Sequence, residues 1–172
     1  MAKIKKKTFV TNVFDRGENM LQVVNIKQSP IGTEKAIQYI QNVWNHQNQV
    51  SQFYDEICHL SLAGDSLNDF YVLVNDEKII GCCGLIKNDV LKKADRYPWI
   101  TSLYIDEVYR GRNYGQLLMN HVIHRAQLLG YPKVYLTTGK TDYYRRHGWR
   151  ELESDLNEKT NKIYYKKLTE QR

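Results

Sequence analysis

The 172-residue sequence holds few of the residues that staple or anchor a chain. Its three cysteines, Cys58, Cys82 and Cys83, cannot all pair within one chain, and no C-x-x-C occurs. Adjacent cysteines bond to each other only with strain. A disulfide framework is therefore excluded, and buried apolar thiols in a reducing cytosol are expected. No stretch approaches the ~20 apolar residues that span a bilayer. The basic start, Lys3 to Lys7, has no apolar run behind it, so no signal peptide is expected. G-x-x-x-x-G-K-[ST] is missing, which removes a P-loop. G-x-G-x-x-G is missing too, and no βαβ unit opens the chain, which argues against a dinucleotide-binding fold.

What remains is ordinary globular material, 42% apolar and 26% charged, long enough to bury a core without staples. The net charge of +6 attracts anions: nucleic acid, an anionic membrane face or a polyanionic cofactor. Charge alone does not choose among them. Residues 1–20 read as a basic tail or accessory strand, and 21–172 as one domain.

Leu21 to Lys27 is rich in β-formers, and Ser29-Pro30-Ile31-Gly32 breaks it. Thr33 and Glu34 mark a helix start, followed by Ala36, Ile37, Ile40, Val43 and Trp44 at helical spacing. Val50 to Leu62 carries Phe53, Ile57 and Leu60 in a second helical pattern. Phe70 to Val74 and Lys78 to Lys87 form a hairpin around Asn75-Asp76. Gly81 and Gly84, with the small thiols between them, imply close packing over that strand. Trp99 to Ile105 is a strand, Gly115 to Leu129 a helix with Leu118, Val122, Ala126 and Leu129 on one stripe, and Lys133 to Thr138 a strand. Asp142 to His147 is a short helix, and Trp149 to Leu152 and Lys162 to Leu168 are closing strands. The order is β-α-α-β-β-β-α-β-α-β-β, a mixed α/β (α+β) domain.

The chemistry concentrates in Leu103-Tyr104-Ile105-Asp106-Glu107-Val108-Tyr109-Arg110-Gly111-Arg112-Asn113-Tyr114-Gly115-Gln116. A strand runs into a basic, glycine-containing turn that opens an amphipathic helix. Unpaired N–H groups at such a start, with the helix dipole behind them, attract anions. Gly111 and Gly115 admit a ligand close to the backbone, and Arg110 and Arg112 add positive charge. Pyrophosphate or a similar polyanion is the favoured guest. On spacing alone, glycines that serve only the turn remain the alternative.

This stretch resembles motif A of the general N-acetyltransferase (GNAT) superfamily, Q/R-x-x-G-x-G/A after the fourth strand. Arg110 takes its first position, Gly115 its last, and Asn113 the place of the middle glycine. Asn is among the few residues that tolerate a left-handed backbone. Tyr143-Tyr144-Arg145-Arg146-His147-Gly148-Trp149 is similar to the family's F-Y-x-x-x-G-F segment. The Asn that commonly precedes that segment has no counterpart, leaving Thr137, Thr138 and Asp142 as alternatives.

The resemblance covers about Leu21 to Leu168. It implies a central twisted mixed sheet flanked by helices and a cytoplasmic acyltransferase moving an acetyl group from acetyl-CoA to an amine. Acetyl-CoA would lie between the fourth and fifth strands, with no metal. Its pyrophosphate would sit on Arg110, Gly111, Arg112, Asn113, Tyr114, Gly115 and Gln116, and its pantetheine arm along Leu103, Tyr104 and Ile105. A strand-four N–H would polarise the thioester carbonyl. Tyr144 would be the general acid that protonates the leaving thiolate.

An alkylamine near pKa ~10 is almost wholly protonated at neutral pH, so a base or a water chain is also needed. Asp55, Glu56, His59, Asp106 and Glu107 are the candidates. Trp44, Phe53, Tyr54, Asp55, Asp95 and Trp99 are candidates for the acceptor pocket, which suits a small-molecule or peptide amine. His121 and His124 have metal-compatible spacing but no carboxylate or cysteine partner nearby in sequence, so they read as structural. A catalytically silent CoA-binding module is the alternative, and a nucleic-acid binder a weaker one, since the basic residues are dispersed. No membrane partner is expected; unpaired last strands suit a homodimer.

Overall fold

The computed structural model describes residues 9–15, 19–44, 62, 67–87, 95–152 and 162–169. Its strands are β1 (Thr11–Phe14), β2 (Met20–Asn25), β3 (Asp69–Asn75), β4 (Lys78–Ile86), β5 (Trp99–Ile105), β6 (Lys133–Thr138), β7 (Arg150–Glu151) and β8 (Lys162–Lys167). They form one eight-stranded sheet in the order β1-β2-β3-β4-β5-β6-β8-β7. Every neighbouring pair is antiparallel except β5 and β6, so the sheet is mixed. The helices described are α1 (Thr33–Trp44), α2 (Tyr114–Leu128) and α3 (Thr141–Arg146). No described helix is long and apolar enough to cross a membrane.

The sheet is buried on both faces because its strands alternate between two cores. Tyr71 and Leu73 of β3 pack with Leu118, Met119, Val122 and Ala126 of α2. Phe70, Val72 and Val74 point the other way, into a cluster with Ala36 and Ile40 of α1. Each fully buried aliphatic chain of this kind contributes about 1.5–3 kcal/mol. The glycines of β4 do what their sequence context implied. A Cβ on Gly81 would sit 2.8 Å from the Tyr104 carbonyl oxygen, and one on Gly84 would sit 2.8 Å from the Phe70 ring.

Two boundaries differ from the sequence reading. The strand expected to reach Lys27 stops at Asn25, whose side chain accepts the Lys27 amide at 3.0 Å and starts a 3₁₀ turn. Helix α1 begins with Thr33 already inside it, the Gly32 carbonyl accepting the Ala36 amide at 3.1 Å. The Lys3–Lys7 cluster, Cys58 and all of Val50 to Leu62 except Leu62 lie outside the described residues.

β5 departs from regularity in a way that shapes what lies beside it. Cys82 pairs with Tyr104 and Gly84 with Thr101, so β5 carries one more residue than β4 across this step. The extra residue is absorbed at Ser102, whose φ is 57° in the middle of a strand. Beyond it β5 turns away from β6. Their only registered pair is Trp99 with Tyr135, and the Tyr135 amide bonds to the Pro98 carbonyl at 3.0 Å. Trp99 itself is fully buried against Tyr135, and its Nε1 donates to the Arg96 carbonyl at 2.6 Å. It is the hinge pin of the divergence and does not line an acceptor pocket, contrary to the sequence expectation.

His121 is buried, with its Nδ1 2.6 Å from the Thr11 hydroxyl and its ring between Phe9 and Tyr71. His124, one turn on, is exposed, and the Phe9 ring also meets it at 5.2 Å. The pair therefore anchors the N-terminal segment to α2 instead of converging on a common point. Burial, with nearby His124 and Arg125, pushes the His121 imidazole down to about 4. The folded protein thus binds fewer protons here than the unfolded chain between pH 6.5 and 4. Stability contributed by neutral His121 is complete above pH 6.5 and declines as pH falls through that window, by roughly 3 kcal/mol at the limit. Chemical denaturation of wild type and His121→Gln at pH 7 and pH 5 should show a smaller acid loss in the variant; equal losses would contradict this assignment.

Candidate functional site

The opening between β5 and β6 is floored by the turn that joins β5 to α2. The Asp106 amide closes on the Ile80 carbonyl at 2.9 Å, and a 3₁₀ turn over Glu107–Tyr109 swings the chain outward. Two left-handed residues then reverse it, Gly111 at φ 79° and Asn113 at φ 62°. Asn113 thus adopts the left-handed backbone that asparagine tolerates. Its side chain makes no capping bond, and its carbonyl takes the Leu117 amide at 3.1 Å as α2 begins. The first N–H groups of α2 therefore have no acceptor within the helix and project from its positive end.

A cleft of about 570 Å³ lies over these groups. Leu103, Tyr104 and Ile105 form one wall, Arg110, Gly111, Asn113, Tyr114, Gly115 and Gln116 the floor, and Tyr144 the opposite wall. The structure thus brings together Tyr144 and every residue expected to hold acetyl-CoA except Arg112. Arg110 is tied down: its Nε donates to the Ile105 carbonyl at 2.9 Å, its guanidinium stacks 5.3 Å over the Tyr104 ring, and Glu107 lies 3.8 Å from it. Arg112 instead leans over the Tyr109 ring at 5.9 Å and toward Asp15, 3.9 Å away.

Three lining residues were not anticipated: Tyr109, Lys140 and Tyr143. The Tyr143 hydroxyl donates to Gln116 Oε1 at 3.2 Å and so ties α3 to α2 across the cleft. Gln116 in turn donates to Asn120 at 2.7 Å. Lys140 precedes α3, its amide bonded to the Thr138 hydroxyl at 3.0 Å, and adds a second cation at the rim. That bond occupies Thr138, one of the three alternatives for the missing Asn. The signal for Tyr143 was its place beside Tyr144 in the same short helix; Lys140 had only its charge.

Tyr144 is half-buried and packs on Trp149, with ring centroids 5.9 Å apart and planes nearly perpendicular. Burial, with Cys83 and Tyr143 nearby, pushes its hydroxyl up to about 12. Cys83 is fully buried, and burial lifts its thiol above the usual range, so it is held as an unreactive thiol.

Of the candidate bases, Asp106 accepts a hydrogen bond from the Tyr39 hydroxyl at 2.6 Å and is engaged with α1. Burial and that contact raise the Tyr39 pKa. Glu107 is exposed and paired with Arg110. Asp55, Glu56 and His59, with Phe53 and Tyr54, lie outside the described residues. Of the described acceptor candidates, Asp95 is exposed and Trp44 meets the Tyr104 ring at 6.3 Å, on the α1 side of β5.

The donor set fits a diphosphate. Free backbone N–H groups converge with a helix dipole, Arg110 and Lys140 stand at the edges, and a Cβ on Gly111 would meet only open space. The loop depends on the left-handed residue at 113. Asn113→Gly should fold as the wild type does. Asn113→Val should lose about 1–2 kcal/mol, because a β-branched chain resists positive φ. In thermal unfolding that is a midpoint lower by roughly 2–8 °C, and equal midpoints for the two variants would refute the backbone argument.

Residues 34–149 match the family model described as the acetyltransferase (GNAT) family. Among solved structures, an acetyltransferase of that family from Staphylococcus aureus Mu50 is 20% identical, with 87% of this chain and 99% of that chain covered and a TM-score of 0.58. The GNAT domain of S. lividans PAT is 11% identical, with coverage of 93% and 97% and a TM-score of 0.67. N-acetylglutamate synthase from Neisseria gonorrhoeae, complexed with coenzyme A and N-acetyl-glutamate, is 17% identical over 95% of this chain and 36% of its own, with a TM-score of 0.60. These likenesses are of fold. Comparison with curated proteins gives no match.

Proposed function

The chain belongs to the acetyltransferase (GNAT) family of acyltransferases, and from that premise we propose that it transfers acetyl from acetyl-CoA to a primary amine of a small molecule or peptide. In this proposal residues 21–172 are the catalytic domain. The observation that carries the reading is the cleft itself, with anion-binding N–H groups at one end and a protonated tyrosine at the other. The Neisseria gonorrhoeae structure, complexed with coenzyme A, supports the choice of cofactor.

When bound, acetyl-CoA supplies the activated thioester. The chain's own residues do the rest. The N–H groups from Gly111 to Gln116, with Arg110, bind the diphosphate, while Arg112 starts outside the cleft. Leu103, Tyr104 and Ile105, freed from β6 by the bulge at Ser102, offer backbone groups to an extended arm, as an open strand edge does. Trp149 packs on the Tyr144 ring and fixes it, and the low polarity around the hydroxyl keeps its proton in place until a thiolate forms. With its pKa at about 12, Tyr144 acts as an acid and not as a base near neutrality.

Two measurements test this. Saturating acetyl-CoA, at a hundred times its Kd, should add about 2.7 kcal/mol and raise the unfolding midpoint by roughly 5–11 °C. No shift with either acetyl-CoA or CoA would remove the reading. Tyr144→Phe should keep that shift and lose turnover by about 10²–10⁴-fold, the usual worth of a placed proton donor. The wild-type rate should climb with pH toward the amine's own pKa, with no falling limb below pH 11. An unimpaired Tyr144→Phe would take Tyr144 out of the mechanism while leaving the cofactor site standing.

A further inference from the structure

A carboxylate stands where an anion-binding turn would least be expected to have one. Asp15 follows β1, and its amide closes on the Asn19 carbonyl at 3.1 Å, so the β1–β2 hairpin ends beside the start of α2. Asp15 Oδ2 accepts the hydrogen bond of the Tyr114 hydroxyl and lies 3.9 Å from the Arg112 guanidinium. Tyr114 lines the cleft and Arg112 does not. We propose, resting on the cofactor reading above, that Asp15 sets the affinity of the site: it is an internal counter-anion that holds Arg112 off the cleft and opposes an arriving diphosphate.

The geometry distinguishes the two arginines of the turn. Arg110 is fixed by a bond to the backbone and by stacking on Tyr104, so it serves the loop whether or not a ligand is present. Arg112 leans over the Tyr109 ring at 5.9 Å, and its ion pair with Asp15 is a loose 3.9 Å. Pairs of that kind contribute little and exchange readily. A diphosphate brings at least two negative charges to the same neighbourhood and attracts Arg112 away from Asp15. The Asp15 carboxylate, anchored through Tyr114, the first residue of α2, keeps its negative charge beside the turn and repels the guest. Asp15 therefore steadies the empty turn and weakens the filled one. By reciprocity, a filled site loosens the β1–β2 hairpin, and a pull on that hairpin changes cofactor affinity.

Calorimetric titration of acetyl-CoA and of inorganic pyrophosphate into wild type, Asp15→Asn, Arg112→Gln and the double variant at low salt tests this. The Asn side-chain oxygen still accepts the Tyr114 bond, so the hairpin should stay in place. Asp15→Asn should bind both probes roughly three- to tenfold tighter, Arg112→Gln should bind weaker, and the gain from Asp15→Asn should shrink in the double variant. Asp15→Ser gives the same reading should the Asn variant fold poorly. Equal or weaker binding by the charge-free variants overturns the proposal. Wild-type binding of pyrophosphate but not of acetyl-CoA would sink the acetyltransferase reading while leaving Asp15 to be judged on pyrophosphate alone. Binding of neither probe would remove both.

Discussion

The parting of β5 from β6 is the constraint on which the rest depends. Two parallel strands that paired along their whole length would seal the sheet and leave α2's first turn facing a closed ladder. Here pairing is registered only at Trp99 and Tyr135, and the left-handed residue at Ser102 turns β5 outward. Exposed backbone N–H and C=O groups in a sheet interior are costly unless something satisfies them. An extended guest laid along Leu103 to Ile105 would meet that cost, and the proposed cofactor arm is such a guest. The fully buried Trp99 and the close fit of Gly81 against Tyr104 hold the divergence at a fixed place.

Charge in the site follows the same economy. On the proposed reading, anion binding would come mostly from backbone N–H groups whose direction is set by the Gly111 and Asn113 conformations, with side chains added at the rim. Backbone donors cannot swing away, so they pre-organise the floor, whereas the two arginines differ according to what else holds them. Arg110 is part of the loop's own architecture; Arg112 is shared between the loop and the N-terminal hairpin. Sequence position alone makes these residues look equivalent, and tertiary contact separates them.

That contrast shows what could be read in advance. Strands over Trp99–Ile105 and Lys133–Thr138, and a helix opening at the Arg110–Gly115 turn, follow from apolar patterning and turn chemistry, which are local. The floor and one wall of the cleft were legible for that reason. The bulge was not, because Trp-Ile-Thr-Ser-Leu-Tyr-Ile reads as an unbroken strand and a Ser at positive φ leaves no compositional mark. Trp99 looked like a pocket aromatic, and only the pairing of β5 with β6 shows that its ring is needed inside. Lys140 and Tyr143 enter the site because α3 docks across it, and Asp15 reaches Tyr114 at its margin because a hairpin nearly a hundred residues earlier ends there. Contacts that distant in sequence have no periodic signature.

On the proposed mechanism, the burial that keeps the Tyr144 hydroxyl protonated also limits how it can work. An isolated tyrosine with its hydroxyl at about 12 gives up a proton to an ordinary thiolate, near 8.5, only uphill. For the proposed transfer to run, the surroundings that raise the tyrosine would have to raise the thiolate as well. Low polarity would do so for both, since each anion loses water on entering the same walls. Cys83, a native thiol beside Tyr144, carries that effect within the protein itself: burial lifts it out of the range where thiols ionise. A thiolate formed beside Tyr144 would lose part of its hydration in the same surroundings, which would narrow the gap between the two proton affinities. On the proposed mechanism the apolar packing around Tyr144, above all Trp149, would be part of the chemistry.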